Sequence, residues 1–214
     1  MNQHHQYTEL NICLACGGKN LSLVLDLGTQ PLANSYHRRD EILEEFPLAL
    51  MLCTDCFHSQ LSVAVNPDLM FKNYLYVSGT SHTLREYFDW FADMAASRRE
   101  TGSTPLSVLD IASNDGSQLA AFRRYTSDIT GVDPAQNLRE TAEKTGATIM
   151  CDYWNKKTAQ KLHRTFDIII AQNVFAHNAN PLGFLESALR KITNEDVSSK
   201  FKHLIEAKWG EDDV

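Results

Sequence analysis

The stretch VLDIASNDGSQLAAF, residues 108–122, joins an apolar strand-like run to a helix-like run through a polar turn. A dinucleotide-binding turn at such a junction carries three glycines, G-x-G-x-x-G, so that the backbone can approach a pyrophosphate. This turn has one glycine, Gly116. It suits a cofactor without a pyrophosphate.

Around this stretch the sequence alternates. Residues 106–112, 128–132, 147–151 and 166–172 read as strands, and residues 116–125, 134–145, 155–162 and 181–192 as helices, with a last strand at 203–207. Pro134 suits a first helical turn. Repeated βα units predict an α/β, Rossmann-like parallel sheet with helices on both faces. The runs are continuously apolar, as strands buried on both sides are.

Such sheets bind ligands beyond the carboxyl ends of their strands. The ends here are DIASNDGS, GVDPAQN, CDYWN and AQNVFAH, and they bring Asp110, Asp115, Asp133, Asp152, Asn173 and His177 to one edge. Carboxylates there repel phosphate and suit a cationic sulfonium. Asp133 is placed for a ribose diol, as the acid ending the second strand is in dinucleotide folds. Gly116 lets the backbone come close. Asp152 is a candidate acceptor for an adenine amino group, with Tyr153 or Trp154 against the ring; for Trp154 a place in the core is an equal alternative. Asp110, Ser113, Asn114, Pro134 and Asn173 also belong to the candidate cofactor set, with orienting the turn as the alternative for Asp110. The cofactor predicted is S-adenosylmethionine.

The N-terminal part carries a different signal. Of five cysteines, Cys13 and Cys16 form one C-x-x-C pair and Cys53 and Cys56 another, 36 residues on. Four thiolates suit a closed tetrahedral zinc site with a structural role. Gly17 and Gly18 are expected to supply the positive φ of a tight turn. Buried or redox cysteines are the alternative, but a redox C-x-x-C is usually single. His58 is expected at the surface, and His4 and His5 in a tail. The layout predicted is a zinc-binding domain at 1–65, a linker with an amphipathic helix at 66–104, and a cofactor-binding domain at 105–214. Leu84, Tyr87, Phe88, Phe91 and Met94 mark one face of that helix, and Ser81 is its candidate N-cap.

Composition narrows the partners. The 214-residue chain is 43% hydrophobic and 22% charged, with a formal net charge of -7. An acidic balance argues against nucleic acid. Arg98, Arg99, Arg123 and Arg124 read as solvated helix faces. No apolar run is long enough for a membrane span, and the start has no secretory signal. The expected location is the cytoplasm.

Taken together, CLACGG, LGTQPLANSY, FPLALMLCTDC, QLSVAV, FKNYLYVSGTSHTLREYF, VLDIASNDGS, GVDPAQN and NVFAH resemble the sugar C-methyltransferases that act on nucleotide-linked keto-deoxysugars. The resemblance covers residues 12–180. It implies an N-terminal zinc-binding domain, a class I methyltransferase domain and a C-terminal substrate domain. It also implies a nucleotide-linked sugar as substrate. Tyr76 and His177 fall at the substrate end by the same resemblance, as proton carriers or sugar contacts. Tyr76 as a packing residue and His177 as a loop cap are the alternatives. Ser78, Thr80 and Ser81 are implied as cofactor or substrate contacts.

Carbon methylation needs an enolate formed beside a ketone, held in line with the methyl donor. Members of this family continue past this length, with a further Tyr/Glu/His cluster for proton transfer. The stretch TNEDVSSKFK has no clear match among them. The expectation is therefore cofactor binding with little or no sugar methylation by this chain alone. The sheet edge is expected to be covered by self-association or a partner. An inactive zinc- and S-adenosylmethionine-binding interaction module is the alternative.

Overall fold

The computed structural model describes residues 6–33, 35–98 and 105–192. The chain divides into two compact units, one ending at Leu75 and one beginning at Tyr76.

The first unit is built from antiparallel strands. β1 (Tyr7–Glu9) pairs with β5 (Val63–Val65), while β3 (Glu45–Cys53) lies between β2 (Leu21–Pro31) and β4 (Ser59–Leu61). A short helix, α1 (Asp68–Phe71), follows. Its buried apolar set is small: Cys13, Phe46, Cys53 and Val63. So little buried surface is a weak core for a unit of this size. Buried Gln60 compensates in part. Its side-chain oxygen accepts the Leu14 N–H at 2.8 Å and its Nε2 donates to the Ile12 carbonyl at 3.0 Å, which pins the first cysteine loop to β4.

The second unit opens with α2 (His82–Ser97), capped by the Ser81 hydroxyl, which accepts the Leu84 N–H. Then come β6 (Ser107–Ile111), α3 (Ser117–Phe122), β7 (Asp128–Val132), α4 (Arg139–Glu143), β8 (Thr148–Met150), α5 (Lys156–Lys161), β9 (Ile168–Ile170) and α6 (Pro181–Leu189). The described strands form one parallel sheet in the order β8-β7-β6-β9. Every residue of β6 is buried. Its alternate side chains feed two cores. Val108 packs with Ala92, Leu119, Phe122 and Ile129 on one face. Leu109 and Ile111 pack with Trp154, Leu162, Phe166 and Phe184 on the other. The α/β fold with covered faces is thus the one expected.

Three local expectations are corrected. The helix after β7 begins at Arg139, not Pro134. Asp133 Oδ1 accepts the Ala135 N–H at 2.8 Å, and a carboxylate that holds the backbone two residues on offers it a turn instead of a helix. The helix after β6 is shorter, with Gly116 as its N-cap at φ 78°. The strand in FDIIIAQ is confined to Ile168–Ile170, with Phe166 bridging Ile192. The strand expected at 203–207 lies outside the described residues, as do residues 100–104, His4, His5 and Arg99. Arg124 is not simply solvated. It pairs with Asp93 at 2.7 Å and ties the turn after α3 to α2.

Candidate functional site

The turn after β6 is a tight coil in which Ala112, Asn114 and Gly116 all have positive φ, at 63°, 50° and 78°. Gly116 is needed for space as well. A Cβ there would lie 3.1 Å from both Ala142 Cα and Thr145 Cγ2. The coil also leans on β7, where a Cβ on Gly131 would lie 2.5 Å from Ser113 Oγ.

Two carboxyl groups sit beneath this coil. Asp110 is buried in β6, and burial together with the neighbouring Asp133 pushes its carboxyl well above the usual range. Asp133, at the end of β7, is also raised by burial, against the pull of the Ala135 and Asn114 N–H groups. Asp133 Oδ2 accepts from Asn114 at 2.8 Å. Ser113 Oγ and both polar atoms of the Gln118 side chain are buried without a hydrogen-bond partner among the described residues. Buried polar groups are nearly always paired. Such a set fits a polar, cationic ligand that enters the edge and completes these contacts.

The other candidates are spread along the same unit. Pro134 follows Asp133 in the turn before α4. Asp152 is already engaged: its oxygens accept from the Tyr153 N–H at 2.9 Å, Thr158 Oγ1 at 3.1 Å and Lys161 Nζ at 2.7 Å. Lys161 above all holds its carboxyl below the usual range. Tyr153 lies beside it, half-buried. Trp154 is core, and its Nε1 donates to the Phe184 carbonyl at 3.2 Å. Asn173 is exposed with φ 55°, and His177 is exposed at the end of a 3-10 turn, Phe175–His177. Tyr76 is 48% exposed, and its carbonyl accepts from Asn114 Nδ2 at 3.0 Å. Ser81 spends its oxygen on the α2 cap. The structure thus brings Tyr76, Asn114, Asp133 and Asp110 into one chain of neighbours. Lys161 and Gln118 were missed by the sequence reading. Lys161 lies outside every motif, and Gln118, though inside the opening stretch, reads there as an ordinary helix residue.

In the first unit the four sulfurs of Cys13, Cys16, Cys53 and Cys56 lie within 4.8 Å of one another. Cys13 and Cys56 are 3.6 Å apart, and Cys16 and Cys53 3.7 Å. A disulfide would be about 2.0 Å. Four sulfurs about 2.3 Å from one tetrahedral zinc stand about 3.8 Å apart. The cysteines therefore fit zinc, and His58 is not in the cluster. Burial tends to raise the Cys53 thiol, but the N–H groups of Cys56 and Asp55 and the thiols of Cys16 and Cys56 bring it down to about 7. Two of its partners move the other way. Against the pull of the Gly18 N–H, the Cys56 thiol helps push Cys16 up to about 12. Against the pull of the His58 N–H, burial and the Cys13 and Cys53 thiols raise Cys56. Of these three, in the metal-free cluster only Cys53 is drawn toward the thiolate, the metal-binding form. Gly17 has the expected positive φ of 72°. Gly18 serves space instead: a Cβ there would lie 2.5 Å from Asp55 Oδ2 and 3.2 Å from Cys16 Sγ.

Residues 13–71 match the family described as "Putative zinc binding domain", and residues 80–197 match the family described as "Methyltransferase domain". The chain belongs to the methyltransferase-domain family. S-adenosylmethionine is the cofactor of its class I domain, and zinc is the metal of the cysteine domain that precedes it. The C-methyltransferase NovU of Streptomyces niveus is 27% identical over 171 residues, which is 77% of this chain and 40% of that protein. The chain thus spans about 40% of the length of this curated relative.

Among solved structures, the plantazolicin methyltransferase BpumL, in complex with a triazolic desmethylPZN analog and SAH, is 21% identical. Its TM-score is 0.44, over 55% of this chain and 46% of that one. Magnesium protoporphyrin IX methyltransferase from Synechocystis PCC 6803, with bound SAH, is 14% identical. Its TM-score is 0.42, over 56% and 62%. No described helix of this methyltransferase-family chain is long and apolar enough to cross a membrane.

Proposed function

We propose that the chain is the metal- and cofactor-binding part of a C-methyltransferase that acts on a nucleotide-linked keto-deoxysugar. The observation that carries the reading is the pair of buried carboxyl groups, Asp110 and Asp133, under a one-glycine turn with unpaired polar atoms beside it. The sugar itself rests on the motif resemblance. The likeness to a C-methyltransferase supports carbon as the target.

S-adenosylmethionine supplies an electrophilic methyl group on a cationic sulfonium. Asp133 holds the ribose hydroxyls through the acceptor capacity its two backbone contacts leave open. Asp110 lies behind the turn, where burial and Asp133 disfavour its charged form and a bound cation would favour it. Ser113, Asn114, Gly116 and Pro134 shape the turn around the nucleoside. Asp152 and Tyr153 flank the adenine, with the Asp152 carboxylate shared between the base and Lys161. Ser81 and Asn173 border the methionine end. Tyr76 and His177 move the proton between the sugar and solvent. An imidazole carries one nitrogen that donates and one that accepts, so His177 can pass a proton in either direction. Cys13, Cys16, Cys53 and Cys56 hold zinc as a structural ion that stabilises the first unit. The protein works in the cytoplasm, away from nucleic acid and membrane, with the sheet edge covered by a second copy or a partner.

The test uses zinc-loaded protein. Calorimetry with S-adenosylhomocysteine should show binding. Methyl-labelled S-adenosylmethionine with a nucleotide-linked 4-keto-deoxysugar should then place label on a ring carbon, slowly. Label on oxygen or nitrogen, or no binding of S-adenosylhomocysteine, overturns the proposal. Binding with no label at all favours an interaction module.

A further inference from the structure

The segment that precedes α2 is held by side chains of the cofactor turn. The Ser78 N–H donates to Asn114 Oδ1 at 2.9 Å, and the Gly79 N–H donates to Asp115 Oδ2 at 2.9 Å. Asn114 Nδ2 donates in return to the Tyr76 carbonyl at 3.0 Å. The Arg85 guanidinium closes the segment from the α2 side by donating to the Gly79 carbonyl.

The same two residues face the other way as well. The Asn114 backbone N–H donates to Asp133, and Asp115 accepts the N–H and the hydroxyl of Ser117 at the start of α3. The approach is close. A Cβ on Gly79 would stand 2.3 Å from Ser117 Oγ and 2.6 Å from Asp115 Oδ2. Glycine is used here for nearness, since any side chain would push these groups apart.

We propose that Asn114 and Asp115 are positioning residues that couple occupancy of the cofactor turn to the placement of residues 76–80, and through them of Tyr76. The proposal rests on the cofactor site assigned above. Asn114 is held by Asp133 at its backbone and holds Tyr76 and Ser78 with its carboxamide. A ligand that orders the turn therefore orders the segment. By linkage, a segment released from the turn weakens the ligand by the same factor. The carboxamide is specific, because it accepts from one backbone group and donates to another. Aspartate at this position keeps the acceptor and sets a second oxygen against the Tyr76 carbonyl.

The experiment uses the zinc-loaded chain, with S-adenosylhomocysteine as the probe, calorimetry for affinity and amide hydrogen exchange for residues 76–80. Saturating S-adenosylhomocysteine should slow exchange at Ser78 and Gly79 severalfold in the wild type. Gly79→Ala and Asn114→Asp should speed that exchange without ligand and weaken binding by about 5-fold or more. If one variant fails to fold by circular dichroism, the other carries the reading. Affinity within about twofold of wild type despite faster exchange reduces the contacts to a purely structural role and overturns the coupling. So does exchange at 76–80 that ignores bound ligand. A wild type that binds no S-adenosylhomocysteine overturns the cofactor site itself and the coupling with it. Normal binding with an uncoupled segment overturns the coupling alone.

Discussion

Asp133 Oδ2 accepts the backbone N–H of Asn114 at 2.8 Å, so the end of β7 holds the turn that follows β6. The carboxyl that holds the turn is itself buried beside a second one, Asp110. Two acids close together in a low-dielectric site each disfavour the charged form of the other. Without a cation the site is electrostatically costly, which is consistent with a ligand carrying positive charge.

Asp110→Asn should therefore stabilise the ligand-free protein at neutral pH. The folded carboxyl lies above its ordinary value of 3.8, so between these two values the native state binds more protons than the unfolded chain. Stability then falls as pH rises through that window. The gain from Asn should be present at pH 7 and should vanish below about pH 4. Thermal melts across pH check this, and S-adenosylmethionine affinity should drop in the same variant.

Lys161→Met should act in the opposite direction and weakly. Lys161 holds Asp152 below its ordinary value, so the pair contributes stability above pH 3.8 that is lost as pH falls through the lowered value. The ion pair is partly exposed, with Lys161 at 60% and Asp152 at 30%. Screening by water keeps the difference between variant and wild type within about 1 kcal/mol near pH 7. Paired melts from about pH 7 downward would show the difference shrink as the pH falls below 3.8.

Cys53→Ser should remove zinc, because three thiolates and a hydroxyl make a poor site for this ion. Wild-type protein prepared without chelator should carry about one zinc per chain by metal analysis. The variant, or the wild type after strong chelation, should lose the β2–β3 signals in an NMR spectrum, since metal binding supplies much of the folding energy of so small a core. Retention of those signals without metal would show that the core suffices.

Gly116→Ala should cost about 1–3 kcal/mol of stability and most of the cofactor affinity. The backbone is left-handed there, and the added methyl group meets Ala142 and Thr145 at 3.1 Å. Trp154→Phe makes a contrast. It loses the bond to the Phe184 carbonyl inside the second core and should cost about 1 kcal/mol, with S-adenosylhomocysteine affinity unchanged. Denaturant melts and calorimetry on the two variants separate a cofactor turn from a structural core.

The βα alternation was legible because runs such as IIIA and SVLDI are apolar on both faces, a property of adjacent residues. The cysteine pairs were legible for a similar reason, since C-x-x-C is a local turn. Other features were not. The delayed start of α4 depends on the Asp133 carboxylate taking the Ala135 N–H, against which Pro134 as a helix starter was the stronger local cue. Gly18 looked like a conformational glycine, whereas its constraint comes from Asp55, 37 positions away.

By itself the sequence determined that the chain carries four cysteines in two turns and a parallel α/β unit with acids at its strand ends, because spacing and periodicity are properties of neighbouring residues. Only the tertiary structure decided that Asp152 is shared with Lys161, that Trp154 belongs to the core and that Asn114 grips Tyr76 and Ser78. Those choices depend on which side chains meet across the fold, and no residue carries that information until distant segments are packed together.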